Sequence, residues 1–182
     1  MKTLKEIKPK FGFAIVLCVV GLFFSSCNNN SISENKREKN TVENKDALNK
    51  ANEAALLEVM QKHLNAVTNR DLEALKQTMS PNGEMQLILP GSEIIDGVDG
   101  FMKYHKDWFA EPDWTFETKI LNTEAGENLG MAITEIVYRE PNRKPEPYFN
   151  RMIVSYDLKK IDGNWYIIKD HASSIEKSTD AK

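Results

Sequence analysis

The sequence predicts an α+β domain in which a cone-shaped, curved antiparallel sheet is covered by three helices. Three observations carry this. Apolar residues recur at helical spacing in three separate stretches, all before residue 111. Strand-like runs dominate the second half, and turn chemistry (Ser80-Pro81-Asn82-Gly83, Pro112, Asp162-Gly163) separates the segments. Helices that precede a meander of strands pack on one face of it, and curvature of that sheet encloses a cavity.

The elements follow in order. Leu56, Met60, Leu64 and Val67 form one helical stripe, widened by Leu57 and Val59, which starts near Lys50 and breaks at Asn69-Arg70-Asp71. Asp71 is placed to cap a short second helix over 72–79, with Glu73 complementing its dipole. A strand over 85–89 and a shorter one near Ile94-Ile95 come next. Helical period returns over 96–110, where Val98, Phe101, Met102, His105, Trp108 and Phe109 share a face. Strands over 114–123 and 129–139 and a hairpin over 148–173 complete the domain. Pro141, Pro145 and Pro147 mark the irregular connection before that hairpin.

Ahead of the domain lies a different kind of sequence. Lys2, Lys5, Lys8 and Lys10 precede an uncharged run over 11–24, FGFAIVLCVVGLFF, which has signal-peptide proportions and falls short of the about 20 residues a bilayer span needs. It ends in Phe24-Ser25-Ser26-Cys27, which resembles the lipobox of bacterial lipoproteins, with Phe24 replacing the usual Leu. That resemblance implies cleavage after residue 26 and lipid on Cys27, placing the protein in the bacterial cell envelope, lipid-anchored and periplasm-facing. An uncleaved anchor helix is the alternative. Residues 27–49, rich in Asn, Glu, Lys and Ser, read as a lipid-anchored disordered tether, 50–176 as the domain, and 177–182 as a polar tail.

Composition excludes more than it assigns. Hydrophobic residues at 41% and charged residues at 28% are ordinary for a globular chain. A net charge of -3, which becomes -6 once residues 1–26 are removed, argues against nucleic acid as a partner. Of the two cysteines, Cys18 lies in the apolar run and Cys27 at the lipobox, so the domain has no thiol for a disulfide or a metal. The three histidines show no HExxH or comparable spacing and no Gly-rich phosphate loop is present, so neither metal nor cofactor is expected.

The order of elements, the phrase DLEALKQTMSPNGEMQL and the closing DGNWYIIKDHAS together resemble the nuclear-transport-factor-2-like superfamily, in its SnoaL-like branch, over residues 50–176. The closing pattern is also similar to the end of the association domain of calmodulin-dependent kinase. This superfold carries enzymes, binding modules and assembly domains alike. In its ketosteroid isomerases a tyrosine on the first helix donates to the oxyanion, and here His63 holds that place. Their general-base aspartate corresponds to Leu87, and their second oxyanion acid to Val154 or Ser155. None of these is a carboxylic acid, so the resemblance implies no steroid isomerase activity and no catalytic residue is assigned.

Candidate binding residues follow from strand alternation and the resemblance together. A three-residue turn at Asp162-Gly163 sets Val154 opposite Asp170, Tyr156 opposite Ile168 and Met152 opposite Ala172, on the side that the resemblance turns into the cone. Asp170 is then an acid in an apolar pocket, the alternative being a hydrated aspartate at the mouth. His63 points inward on the helical stripe, and Tyr104, His105 and Trp108 close the pocket floor or pack the core. Glu135 lies where the kinase association domain carries an arginine, and Tyr156 lines the pocket. Trp165, Ile167, His171 and Ser173 fall on the convex face, which makes a homodimer the expected assembly. The ligand-binding set is therefore His63, Tyr104, Trp108, Glu135, Tyr156 and Asp170. The expected partner is a small apolar or amphipathic molecule. The rival readings are an enzyme with Asp170 and His63 as acid and base, and a structural subunit whose cone is filled.

Overall fold

The computed structural model describes residues 30–180 of the 182; the expected signal peptide and Cys27 lie outside them. The candidate site belongs wholly to the unit formed by residues 39–182. No helix among the described residues is long and apolar enough to cross a membrane.

Helix α1 spans Asn30–Thr68. It therefore extends through most of the segment expected to be a disordered tether. That segment contains no Gly or Pro to stop a helix, and its Asn, Glu, Lys and Ser tolerate one while giving it nothing to bury. Burial begins near Asn52. Leu56, Met60, Leu64 and Val67 are each at most 3% exposed, whereas Leu57, expected to widen the stripe, faces solvent. Asn52 pins the helix to the sheet's hairpin tips: its Nδ2 donates to the Gly126 carbonyl at 3.2 Å and Lys160 Nζ donates to its Oδ1 at 2.6 Å. Gly130 lets the helix sit this close, because a Cβ there would collide with the Leu56 side chain and lie 2.8 Å from the Glu124 carbonyl.

Arg70, at φ 56°, turns the chain out of α1. Asp71 then caps α2 (Leu72–Gln77) by accepting from the Ala74 amide at 2.9 Å, as the sequence predicts. Two short strands, β1 (Gln86–Ile88) and β2 (Ile94–Asp96), precede α3 (Val98–Phe109). Four long strands follow: β3 (Thr115–Ala125), β4 (Leu129–Glu140), β5 (Tyr148–Ile161) and β6 (Asn164–Lys177). They form one sheet in the order β2-β1-β6-β5-β4-β3. All neighbours are antiparallel except β1 and β6, which run parallel and place Leu87 beside Asp170.

The β5–β6 hairpin departs from the expected register. Asp162 and Gly163 form a two-residue turn with φ of 49° and 84°, positive at both positions, the geometry whose twist matches the flanking strands. A bulge then inserts Ile168 between the pairs Leu158–Ile167 and Asp157–Lys169. Asp170 consequently faces Tyr156, and Ala172 faces Val154. The bulge also changes which residues share a side. Trp165 and Ile167 are buried at 3% and 0% on the same face as Asp170, not on the convex face, while His171 and Ser173 are exposed. The stripe that motivated a dimer thus loses its two large apolar members.

Candidate functional site

Along β4, alternation turns Ala132, Thr134, Ile136 and Tyr138 to the concave side; along β5 it turns Asn150, Met152, Val154, Tyr156 and Leu158 the same way. Toward the Asp162-Gly163 turn this surface is covered by the apolar stripe of α1. Toward the other end it encloses a cavity of about 300 Å³ between the sheet, Leu87 and α3. That is the small end of ligand-pocket sizes.

Aromatic rings make one wall. Trp108 stacks on Trp114 with centroids 4.5 Å apart and planes at 18°, and the Trp114 indole donates to the Trp108 carbonyl at 3.2 Å. The Arg70 guanidinium lies 3.9 Å above the Trp114 ring and donates to that residue's carbonyl at 2.8 Å. Trp108 is therefore held in place before anything enters. Tyr104, Phe116, Tyr138 and Tyr148 continue the wall. The Tyr138 hydroxyl donates to Glu140 at 2.9 Å. Burial, with that carboxylate, pushes its pKa up to about 12.

Asp170 is the one charged side chain in the lining. It is 8% exposed, and burial pushes its pKa up to about 7 with no positive charge offsetting the effect. Tyr156, directly opposite, and Tyr104, on α3, both have raised pKa values, through burial first and the Asp170 charge second. His105 also lines the cavity. Its Nδ1 lies 2.9 Å from the Phe101 carbonyl, which only accepts, so Nδ1 carries the proton and Nε2 keeps its lone pair. Burial lowers its pKa to about 4, which leaves the ring neutral. Asn150 Oδ1 is buried without a hydrogen-bond partner and adds another acceptor to the lining.

His63 stands behind this lining, not in it. Its ring meets Tyr156 edge-on at 5.5 Å, and its Nδ1 is 2.9 Å from the Thr78 hydroxyl. That hydroxyl lies 2.7 Å from the Leu75 carbonyl, to which its proton goes, so His63 donates from Nδ1 and Nε2 is left as a buried acceptor without a partner. Burial first, then nearby His105, lowers its pKa to about 3. Glu135 lies away from this cavity. It projects from the opposite face of β4, half-exposed, 3.8 Å from Arg151.

Of the six expected binding residues, the structure thus gathers Tyr104, Trp108, Tyr156 and Asp170 around one cavity, sets His63 just outside it, and excludes Glu135. Tyr138, Tyr148 and Asn150 were missed. All three could have been found, since Tyr138 extends the Ala132-Thr134-Ile136 track and Tyr148 and Asn150 the Met152-Val154-Tyr156 track. Among the described residues no group of three or more His, Cys, Asp or Glu is arranged to hold a metal ion.

Comparison with known proteins now places the chain. The SnoaL-like domain matches residues 56–176, and the protein belongs to that family. No curated protein matches it in sequence. Several solved structures share the fold. A LinA-type hexachlorocyclohexane dehydrochlorinase from Novosphingobium barchaimii is 14% identical with a TM-score of 0.61, covering 70% of this chain and 89% of its own. A ketosteroid isomerase-like protein from Erwinia carotovora is 15% identical, with a TM-score of 0.57 and coverage of 68% and 96%. The CaMKII association domain of C. elegans is 20% identical, with a TM-score of 0.53 and coverage of 69% and 97%. At these identities the likeness speaks for fold alone.

Proposed function

We propose that this domain binds one small, mainly apolar ligand in its cone, and that a lipid on Cys27 holds it to the envelope. The observation that carries the binding reading is a hollow place in a well-packed domain. Beside tightly buried Leu158 and Ile167, the same strands leave about 300 Å³ walled by aromatic rings and floored by a buried acid. A filled cone, as a purely structural subunit would have, does not fit that geometry. The anchor reading is supported by the basic residues, the apolar run and Ser25-Ser26-Cys27 of the N-terminus.

A second reading, catalysis, is favoured by Asp170 itself. A carboxyl poised near neutral pH inside an apolar cavity is suited to proton transfer. The expected acid–base pairing with His63 does not support it, because His63 lies outside the lining and is tied to Thr78.

Two experiments test the proposal. Trp108 and Trp114 report on the cavity, so titration with the neutral fluorophore N-phenyl-1-naphthylamine should give saturable quenching at one site per chain. Asp170→Ala should change the affinity, by about 1–3 kcal/mol where a probe group loses its partner. Absence of saturable binding contradicts the ligand reading. Separately, Cys27→Ser should abolish membrane fractionation, and an unchanged mature mass and location contradict the anchor.

A further inference from the structure

Among the described residues, the acid in this cavity has no counter-charge and no lining neighbour that supplies one. No Lys or Arg is in the lining. His105 is neutral, with its one proton committed to the Phe101 carbonyl. Arg70 is engaged with Trp114, and Arg143, which lies 4.6 Å over the Tyr148 ring near the mouth, pairs with Glu140 at 3.6 Å. What the lining does offer is acceptors and rings. The acceptors are the Asp170 carboxylate, the His105 Nε2 lone pair and the partnerless Asn150 Oδ1. The rings of Tyr104, Phe116 and Tyr138 have centroids 5.4–6.3 Å from that of Trp108. Aromatic faces carry negative charge density and attract cations, most strongly where water is excluded.

We propose that the cavity selects a compact organic cation, a protonated or quaternary nitrogen on an apolar body, with the nitrogen set against Asp170 and the body among the rings. This rests on the reading of the cavity as a ligand site and specifies its occupant. The chemistry is complementary at each point. An ionised carboxylate is costly in this apolar space when alone, and a cation beside it removes that cost; a protonated nitrogen can in addition donate to the acceptors that His105 and Asn150 present. An anionic ligand would instead meet a carboxylate and an aromatic wall of the same sign.

Proton linkage follows. A bound cation favours the ionised acid, so affinity rises with pH up to about 7 and then levels. The titratable groups acted on by Asp170 are Tyr156 opposite it on β5 and Tyr104 on α3, with His105 of α3 in the same lining; His63 of α1 stands behind Tyr156, and Glu93 from the β1–β2 turn acts on Tyr104. Both histidines are already neutral and both tyrosines keep their protons, so Asp170 supplies the change.

The test uses the full chain and two probes of one shape: benzyltrimethylammonium and its uncharged carbon isostere, neopentylbenzene, each displacing N-phenyl-1-naphthylamine. At pH 8 the cation should bind about tenfold more tightly than the isostere. That preference should disappear in Asp170→Asn, and in the wild type the cation alone should weaken by about tenfold between pH 8 and pH 5.5. Equal or tighter binding of the isostere, or a preference that survives Asp170→Asn, overturns the cation proposal and leaves the cavity a ligand site. Displacement by neither probe also overturns the cation proposal, whereas the ligand reading falls only if N-phenyl-1-naphthylamine itself fails to bind.

Discussion

At the turn end of the β5–β6 hairpin, Leu158, Trp165 and Ile167 meet Leu56, Met60 and Leu64 of α1, and all six are at most 3% exposed. A few residues along the same two strands, Met152, Val154 and Ala172 occupy the same face and border a cavity. Alternation is equally regular in both places, so the strands do not set the difference. The cover does. α1 brings unbranched and branched aliphatic side chains that fit the sheet, whereas α3 brings Tyr104, His105 and Trp108, flat rings that meet edge-on or tilted and span a space. The buried polar groups differ in the same sense. His63, at the boundary, is neutral and bonded to Thr78, while burial holds the Asp170 carboxyl protonated up to about pH 7, with no counter-charge to ease its ionisation.

Truncation separates the two halves most strongly. Leu56→Ala removes a fully buried side chain from the packed half and should cost about 2–5 kcal/mol in denaturant unfolding. Met152→Ala only enlarges a space already present and should cost less than half as much. Equal losses would show that the two halves are packed alike. Gly130→Ala belongs with the first, since its Cβ would press on Leu56 and on the Glu124 carbonyl, and should cost about 1–3 kcal/mol.

Acidity gives the next contrast, and the buried acid and the two buried histidines contribute opposite signs. Asp170, with its folded pKa raised to about 7 from 3.8, keeps its proton in the folded state over a range where the unfolded chain has lost it. Its contribution is complete below about 4 and is lost as pH rises through 7. His63 and His105, lowered to about 3 and about 4 from 6.5, stabilise above 6.5 and lose that contribution as pH falls. Asp170→Asn should therefore be more stable than the wild type at pH 8, by about 2 kcal/mol, because the full linkage of about 4 kcal/mol is partly offset by the buried amide's own needs. The gap should close toward pH 4. A constant gap would place the titrating group elsewhere.

How far the sequence leads can be judged from the same residues. The apolar stripe of α1, the Asp71 cap and the limits of β4 follow from spacing and turn chemistry, which act locally. The cavity-facing set of β5 was legible too, because a register error of two residues leaves alternation intact. The placement of Trp165 and Ile167 was not. A bulge at Ile168 reverses the phase of β6 without any Gly or Pro to announce it, so their inward turn depends on pairing with β5. Glu135 shares with Ile133 and Val137 the face of β4 opposite the Ala132-Thr134-Ile136 track, so strand alternation turns it away from the cavity, and the family position did not carry over. The helix over residues 30–49 was missed because propensity alone, without a buried face, is a weak signal.

The smallest expected effect concerns His63. Since it lies behind Tyr156 and outside the lining, His63→Ala should lower stability yet change affinity for N-phenyl-1-naphthylamine by no more than about twofold. A larger loss of binding at unchanged stability would return His63 to the site.

The central claim, that the hollow half of the concave face is a preformed ligand site, is met most directly by a crystal structure of the protein with N-phenyl-1-naphthylamine. The account predicts the probe between Trp108 and Asp170, with the Trp108–Trp114 stack unmoved. A probe bound outside the cone, or a cavity filled by collapsed side chains, would contradict it.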